Sequence, residues 1–168
     1  MSAAALTGDQ AKVSVLVRVP PEDAFAIFTT EIDQWWRRGP RFRASGRHRG
    51  ILHLEPKVGG RLFESIDLPS GKTTVVETGR VKVWTPPSRL VFDWRAVNFA
   101  PHETTEVDVA FEPSPSGTLV TVVHRGWASI RGDHPVRHGE DVPAFIRTMG
   151  LFWGGLLASL RVHAEHER

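Results

Sequence analysis

The chain has no cysteine and no tyrosine among its 168 residues, and it has only two methionines. The absence of cysteine excludes disulfide bonds, a thiol nucleophile and a thiolate zinc site, and it fits a reducing compartment. The pI is near 9.5 although the net charge is only +2. Without cysteine or tyrosine, little titrates between neutrality and the lysine range, so a small basic surplus moves the pI far upward. The net charge is therefore the better guide to partners.

Long hydrophobic runs are also missing. The longest extends only from Met149 to Ala158, whereas a membrane span needs about 20 apolar residues. The alanines near the N-terminus have no basic flank, which argues against a secretory signal. No phosphate-binding loop, nucleophile elbow or dinucleotide fingerprint occurs in the sequence. We expect a cytoplasmic protein without a membrane span, a cofactor or a bound metal.

The length fits one domain with a sizeable core. We predict a flexible lead-in over residues 1–10 and a single domain over residues 11–168, present as a monomer or a homodimer. Alternating valines from Val13 to Val19 predict a first strand with one buried face. Two prolines followed by two acidic residues then favour the start of a short helix, and a second short helix is expected around residues 32–36.

The middle of the chain has the pattern of antiparallel strands joined by tight turns. Glycine- and proline-rich breaks separate the apolar runs. The predicted strands cover residues 48–55, 61–66, 74–84, 89–96, 104–112 and 118–125.

A long amphipathic helix is predicted at the C-terminal end. Asp141 suits its N-terminal cap, and Pro143 is tolerated in its first turn. Apolar residues from Val142 to Leu160 recur three and four positions apart, which marks one buried stripe. This order of elements predicts an α+β fold in which a curved antiparallel sheet of about seven strands wraps around the helix. A gap between sheet and helix would be a natural ligand cleft.

Three turn-and-strand motifs carry a family resemblance: Leu54-Glu-Pro-Lys-Val-Gly-Gly-Arg61, Gly79-Arg-Val-Lys-Val-Trp-Thr-Pro-Pro-Ser-Arg-Leu90 and Gly117-Thr-Leu-Val-Thr-Val-Val-His124. Together with the order of elements, they resemble the START-like (SRPBCC) superfamily over residues 12–164. Within that superfamily, they resemble the branch named after the C-terminal domain of the Hsp90 ATPase activator, in its bacterial stand-alone form. The resemblance implies a helix-grip fold with an internal cavity for a hydrophobic or amphipathic small molecule. It transfers no catalytic residue, because the motifs are structural.

Candidate cavity residues come from the inward faces of the strands, from the helix stripe and from the short helices, where two tryptophans are expected at the cavity mouth. The alternative for each apolar residue is that it fills a solid core. The predicted cavity residues are Trp35, Trp36, Glu77, Trp94, Val107, Val109, Phe111, Val122, His124, Phe145, Met149, Phe152 and Trp153.

Three polar residues are of special interest because strand alternation places them with apolar neighbours. His124 shares a face with Val120 and Val122, so it is expected either to orient a ligand or move a proton, or to be a core histidine satisfied by a neighbour. Glu77 and Glu64 either point inward, where a carboxylate needs a hydrogen-bonding partner, or are exposed. Three glycines in the long helix (150, 154 and 155) indicate either close approach to the sheet or space kept for a ligand.

The segment from Arg37 to Arg49 contains six arginines and no acid. Without those six arginines, 15 basic residues remain against 19 acidic ones, so the rest of the chain carries a net charge of −4. We call residues 37–49 the basic segment; it either attracts an anionic ligand or partner or is simply solvated. Dedicated nucleic-acid binding is not expected, because no other basic stretch occurs. His134 and His138 have metal-like spacing but lack an obvious third ligand.

Three functions remain open at this stage. The first is binding of a hydrophobic or amphipathic small molecule between sheet and helix. The second is a polyketide cyclase- or dehydratase-like enzyme that uses His124 with Glu77 or Glu64 to move protons. The third is a co-chaperone-like protein-interaction module.

Overall fold

A computed structural model describes residues 9–95, 99–130, 134 and 139–166. Residues 1–8 of the predicted lead-in lie outside these ranges. The strands are β1 Gln10–Val17, β2 Gly50–Leu54, β3 Arg61–Asp67, β4 Thr73–Thr85, β5 Arg89–Trp94, β6 Thr105–Ser114 and β7 Gly117–Arg125. The helices are α1 Pro21–Thr30, α2 Ile32–Trp35 and α3 Val142–His166, with a 3-10 turn at Trp127–Ser129.

The seven strands form one antiparallel sheet in the order β1-β7-β6-β5-β4-β3-β2. The sheet curls into a half-barrel, and the two short helices follow the first strand. This confirms the predicted α+β fold of the helix-grip type. Among the described residues, no helix is long and apolar enough to cross a membrane.

The long helix begins as its sequence predicts, because Asp141 Oδ1 accepts a hydrogen bond from the Ala144 N–H at 3.0 Å. Its stripe of apolar residues packs into the same core as the inward residues of the strands, since an amphipathic helix is stable only when that face is covered. The fully or nearly fully buried residues of this stripe are Phe145, Met149, Trp153, Leu156, Leu157 and Leu160.

Two of the helix glycines have no packing role within the described structure. Apart from the adjacent backbone of the helix itself, a Cβ atom added at Gly150 or Gly154 would meet no described atom within 4 Å, whereas one at Gly155 would lie 3.1 Å from Arg37 Nη1. The expectation of close helix–sheet approach is therefore wrong for Gly150 and Gly154. Neither borders the cavity described below, and nothing in the structure explains them.

Strand β4 changes face partway along its length. Leu62 of β3 pairs with Gly79, but the next residue, Phe63, pairs with Glu77, so Thr78 is an extra residue on β4. Such a β-bulge reverses the inward and outward alternation on either side of it. Beyond the bulge, β4 approaches β5 so closely that a Cβ at Gly79 would lie 1.7 Å from the Asp93 carbonyl oxygen.

Candidate ligand-binding cavity

A cavity of about 330 Å³ lies between the sheet, the N-terminal half of α3 and the basic segment. Its wall is mainly apolar and aromatic, with a few charged and hydroxyl side chains, which is the usual composition of a small-molecule site. The apolar lining consists of Trp36, Pro40, Phe42, Ala44, Leu52, Leu62, Trp94, Phe145, Met149 and Phe152. The polar lining consists of Arg41, Arg43, Glu64, Thr78, Arg95 and Thr148.

The basic segment forms part of this wall because Arg43 ties it to the protein. The Arg43 side chain is only 1% exposed. Its guanidinium donates to Asp33 Oδ1 at 2.7 Å, to the Trp36 carbonyl at 2.7 Å and to the Arg37 carbonyl at 3.2 Å. A buried charge needs such partners. The segment is therefore anchored by its own arginine rather than loosely solvated.

Asp33 completes this anchor from the end of the short helices. Its carboxylate also accepts hydrogen bonds from the Leu52 N–H at 2.9 Å and from Arg38 at 3.0 Å. Burial acts to raise the pKa of Asp33, but the Leu52 N–H and the two guanidinium groups outweigh it and hold the pKa below its ordinary value. Asp33 is thus charged at neutral pH, and it joins the short helices, the basic segment and β2.

Glu64 is a buried carboxylate on the cavity wall, with only 2% of its side chain exposed. It accepts hydrogen bonds from the Ser45 N–H at 3.2 Å and from the Ser45 hydroxyl, and one of its oxygens lies 3.8 Å from Arg43 Nη1. A Cβ at Gly50 would come within 2.5 Å of that same oxygen. Because Gly50 has no side chain, there is room for the Glu64 carboxylate to contact Ser45 and Arg43.

Phe42 links the basic segment to the long helix. Its ring stacks on Phe152 at a centroid distance of 5.2 Å, and the Trp36 indole N–H donates to the Phe42 carbonyl at 2.9 Å. The guanidinium groups of Arg37 and Arg41 lie 5.1 and 5.5 Å from the ring centroid. One side of the cavity is thus an aromatic pair with cations around it.

Arg95 is a further charged residue of the lining, and it follows directly after β5 and Trp94. Its Nε donates to the Glu103 carbonyl at 3.0 Å, and its Nη2 donates to the Ala100 carbonyl. These bonds hold the guanidinium in one orientation at the wall.

Five of the residues predicted for the cavity lie in its lining: Trp36, Trp94, Phe145, Met149 and Phe152. Ligand contact by these residues stays a prediction. Most of the others lie behind the wall as buried core, which was the alternative interpretation. These core residues are Trp35, Val107, Val109, Phe111, Val122 and Trp153. The indole N–H of Trp35 is satisfied by the Ile27 and Phe28 carbonyls, both at 3.2 Å, so Trp35 belongs to the packing of the short helices.

Glu77 does not point into the cavity. Its side chain is 38% exposed and pairs with Arg80 at 2.7 Å on the outer face. The expectation assumed that Glu77 shares a face with Val81, but the bulge at Thr78 reverses the alternation between them. Thr78 lines the cavity in its place.

His124 also lies outside the cavity lining, fully buried between β6 and α3. Its Nδ1 accepts a hydrogen bond from the Trp153 indole at 3.0 Å, so its Nε2 carries the proton that it donates to the Thr105 hydroxyl at 2.7 Å. That hydroxyl donates in turn to the Trp94 carbonyl at 2.8 Å. Both ring nitrogens are therefore satisfied, and the expectation that His124 orients a ligand or moves a proton is replaced by the alternative of a core histidine.

Burial of this histidine predicts a pH dependence of stability. Burial lowers the pKa of His124 to about 3, while the unfolded chain protonates it near its ordinary pKa of about 6.5. The unfolded state therefore binds the extra proton, and the free energy of unfolding falls as pH drops from about 6.5 towards 3, by up to about 1.4 kcal/mol per pH unit. Denaturant unfolding at pH 7.5, 6.5, 5.5 and 4.5 measures the slope.

The His124→Gln variant should lose this contribution to the slope, whereas His102→Gln, at an exposed histidine, should retain it. As a test on the unaltered protein, the ring signals of His124 should not titrate between pH 8 and 5 in an NMR experiment. A midpoint near 6.5 for that ring would contradict its buried neutral state.

Several wall residues were not predicted from the sequence. Arg43 and Arg95 resemble any surface arginine in the sequence, because the hydrogen bonds that hold their guanidinium groups form only when the loops close. Phe42, the single aromatic residue within the basic segment, was a usable signal. Leu62 was another, since it shares strand parity with Glu64.

The structure does not support a metal site at His134 and His138. His138 lies outside the described residues, and His134 Nε2 lies 3.7 Å from the buried Glu103 carboxylate. Within the described ranges, no three histidine, aspartate or glutamate side chains come together as a metal site.

A curled antiparallel sheet that holds a C-terminal helix, with a cavity beside that helix, defines the class of START-like helix-grip proteins. The family described as "Activator of Hsp90 ATPase homolog 1-like protein" matches residues 18–148 by its sequence model. The chain belongs to this family, as the resemblance predicted. A comparison with curated protein sequences gives no match.

Solved structures agree on the fold. A protein from Nitrosomonas europaea is 16% identical, with a TM-score of 0.64 over 96% of this chain and 97% of its own. A protein of unknown function from Staphylococcus aureus is 14% identical, with a TM-score of 0.67 over 94% of each chain. An AHSA1-like protein from Aeromonas hydrophila is 19% identical, with a TM-score of 0.60 over 94% of this chain and 93% of its own. At these identities the likeness shows the fold alone.

Proposed function

We propose that this protein binds a small amphipathic molecule in the cavity between the sheet, α3 and the basic segment. The observation that carries the proposal is the composition of the wall: aromatic and aliphatic side chains surround about 330 Å³, with a few charged groups held in place. Transfer of apolar ligand surface out of water at about 25 cal/mol per Å² would supply most of the affinity. The fixed polar groups would orient the ligand. A cytoplasmic location remains part of this proposal.

A bulky side chain introduced at the mouth of the cavity should block ligand binding. Ala44 lines the cavity and is exposed on the basic segment, so an Ala44→Trp side chain can occupy the space without disturbing the core. We expect this variant to bind the fluorescent dye anilinonaphthalene sulfonate at least tenfold more weakly than the unaltered protein. Fluorescence titration measures the change.

The matched control is Ala26→Trp, which adds the same side chain at an exposed position of α1 that does not border the cavity. Its dye affinity should equal that of the unaltered protein, and thermal unfolding should show both variants folded. Equal dye binding by Ala44→Trp and Ala26→Trp would mean that the dye binds elsewhere, and the proposal would lose its support.

The enzyme alternative loses two of its three residues. His124 is sealed in the core and Glu77 faces outward, which leaves Glu64 with Ser45 and Arg43 but without a second proton-transfer group from the predicted set. The protein-interaction alternative was suggested by the family name, and the basic segment is its candidate contact surface. Within that segment Arg43 is buried, and Arg38 already bonds to Asp33 and the Gly50 carbonyl. No observation favours either function over small-molecule binding.

A further inference from the structure

We propose that the ligand carries a carboxylate, and that Arg95, with Arg41 at the mouth, binds it. This inference rests on the proposed function and names the polar end of its ligand. The charged side chains on the cavity wall support the assignment of a carboxylate. Three guanidinium groups and a single carboxylate line the cavity.

Arg43 is already neutralised within this set. Its guanidinium lies 2.7 Å from Asp33 and 3.8 Å from Glu64. With Arg38, which shares Asp33, the cluster contains two arginines and two acids. Arg41 and Arg95 differ, because no acidic side chain among the described residues lies within 4 Å of either guanidinium. Arg41 and Arg95 therefore have no direct acidic partner among the described residues.

Arg95 is held in a fixed orientation for such a role. Nε and Nη2 donate to backbone carbonyls of residues 99, 100 and 103. Carbonyl oxygens fix a guanidinium without cancelling its charge. Among the described residues, no acceptor is bonded to Nη1, so its N–H groups are available to an oxygen inside the cavity. Arg41 contributes charge at the mouth while its guanidinium rests against the Phe42 ring, 5.5 Å from the centroid.

The wall favours a carboxylate over a phosphate. Guanidinium groups bind both anions through charge-assisted hydrogen bonds. Glu64 lines the same cavity, and its negative charge disfavours a second, doubly charged anion nearby. The cavity volume of about 330 Å³ is also near the lower end of the range for ligand pockets, about 300 Å³, which suits a compact headgroup. An amphipathic carboxylic acid fits these constraints.

Ligands that share one alkyl chain test the headgroup directly. Octanoic acid, octanamide, octylamine and octyl phosphate are titrated against the full chain at pH 7.5 by dye displacement and calorimetry. We expect octanoic acid to bind at least tenfold more tightly than octanamide, and octylamine to bind most weakly. Arg95→Met should reduce the preference for acid over amide below threefold while the affinity for octanamide stays unchanged. Arg95→Lys should retain part of the preference, because it keeps the charge.

The control is Arg47→Met, an exposed arginine of the basic segment outside the cavity lining, which should keep the full preference. Equal binding of acid and amide to the unaltered protein overturns the carboxylate assignment but leaves the proposed function intact. Tighter binding of octyl phosphate than of octanoic acid also overturns it. A parallel loss of acid and amide affinity in Arg95→Met would show that the residue only supports the wall. If none of the four compounds binds and the dye does not either, the proposed function itself fails.

Discussion

The Arg43→Met variant should lose about 3–5 kcal/mol of unfolding free energy, the usual cost of removing one partner from a buried ion pair. Methionine fills much of the same space but donates no hydrogen bonds. It would leave Glu64, whose side chain is 2% exposed, without a guanidinium nearby. The Trp36 and Arg37 carbonyls would lose their donor as well. Urea unfolding measures the change, and for a chain of this size it corresponds to a fall in Tm of about 10 °C.

A matched variant separates burial from charge. Arg47→Met removes an arginine from the exposed part of the basic segment, and it should change stability by less than about 0.5 kcal/mol. Combining Arg43→Met with Glu64→Gln should recover part of the loss, because the second substitution removes the uncompensated charge. The double-mutant cycle gives this coupling energy. Comparable losses in Arg47→Met and Arg43→Met would show that the guanidinium of Arg43 does not anchor the segment.

The Gly79→Ala variant should be destabilised by more than about 3 kcal/mol, at the upper end of what overpacking costs. Its Cβ atom would lie 1.7 Å from the Asp93 carbonyl oxygen and 2.9 Å from the carbonyl carbon. Both are backbone atoms of the neighbouring strand, so no side-chain rotation relieves the collision. The two strands must separate next to Trp94, which lines the cavity. Thermal and denaturant unfolding measure the loss.

The same substitution in the long helix provides the control. Apart from the adjacent helix backbone, a Cβ at Gly154 meets no described atom within 4 Å, and alanine is favoured over glycine inside a helix by about 1 kcal/mol. Gly154→Ala should therefore leave stability unchanged or raise it by up to that amount. Full stability of Gly79→Ala, with Gly154→Ala as reference, would be incompatible with the close approach of β4 and β5.

Both variants have consequences for the cavity as well as for stability. Arg43 positions the basic segment that forms one side of the cavity, and Gly79 lies beside the bulge that turns Thr78 towards it. At low denaturant, where the variants remain folded, each should bind anilinonaphthalene sulfonate more weakly than its control. The contacts through which Arg43 and Gly79 stabilise the protein are therefore also the contacts that shape the cavity.

The elements of the fold were predictable from local sequence. Strand boundaries agree with the structure to within a few residues, as for β3, predicted over 61–66 and observed at Arg61–Asp67. The reason is that alternating valines, turn glycines and the cap at Asp141 act over only a few positions. The helix stripe likewise follows from its spacing, and Phe145, Met149 and Phe152 were assigned to the cavity wall on that basis.

The direction in which particular polar side chains point is determined only by the tertiary structure. The bulge at Thr78 arises from the register between β3 and β4, and it turns Glu77 outward although local alternation placed it with Val81. The burial of Arg43 depends on Asp33 of α2 and Glu64 of β3, which lie on either side of it in sequence and meet only when the basic segment closes onto β2 and β3. The partners of His124 come from β6 and α3. Short-range periodicity thus determined which segments form strands and helices, while contacts between distant segments decided which side chains reach the cavity.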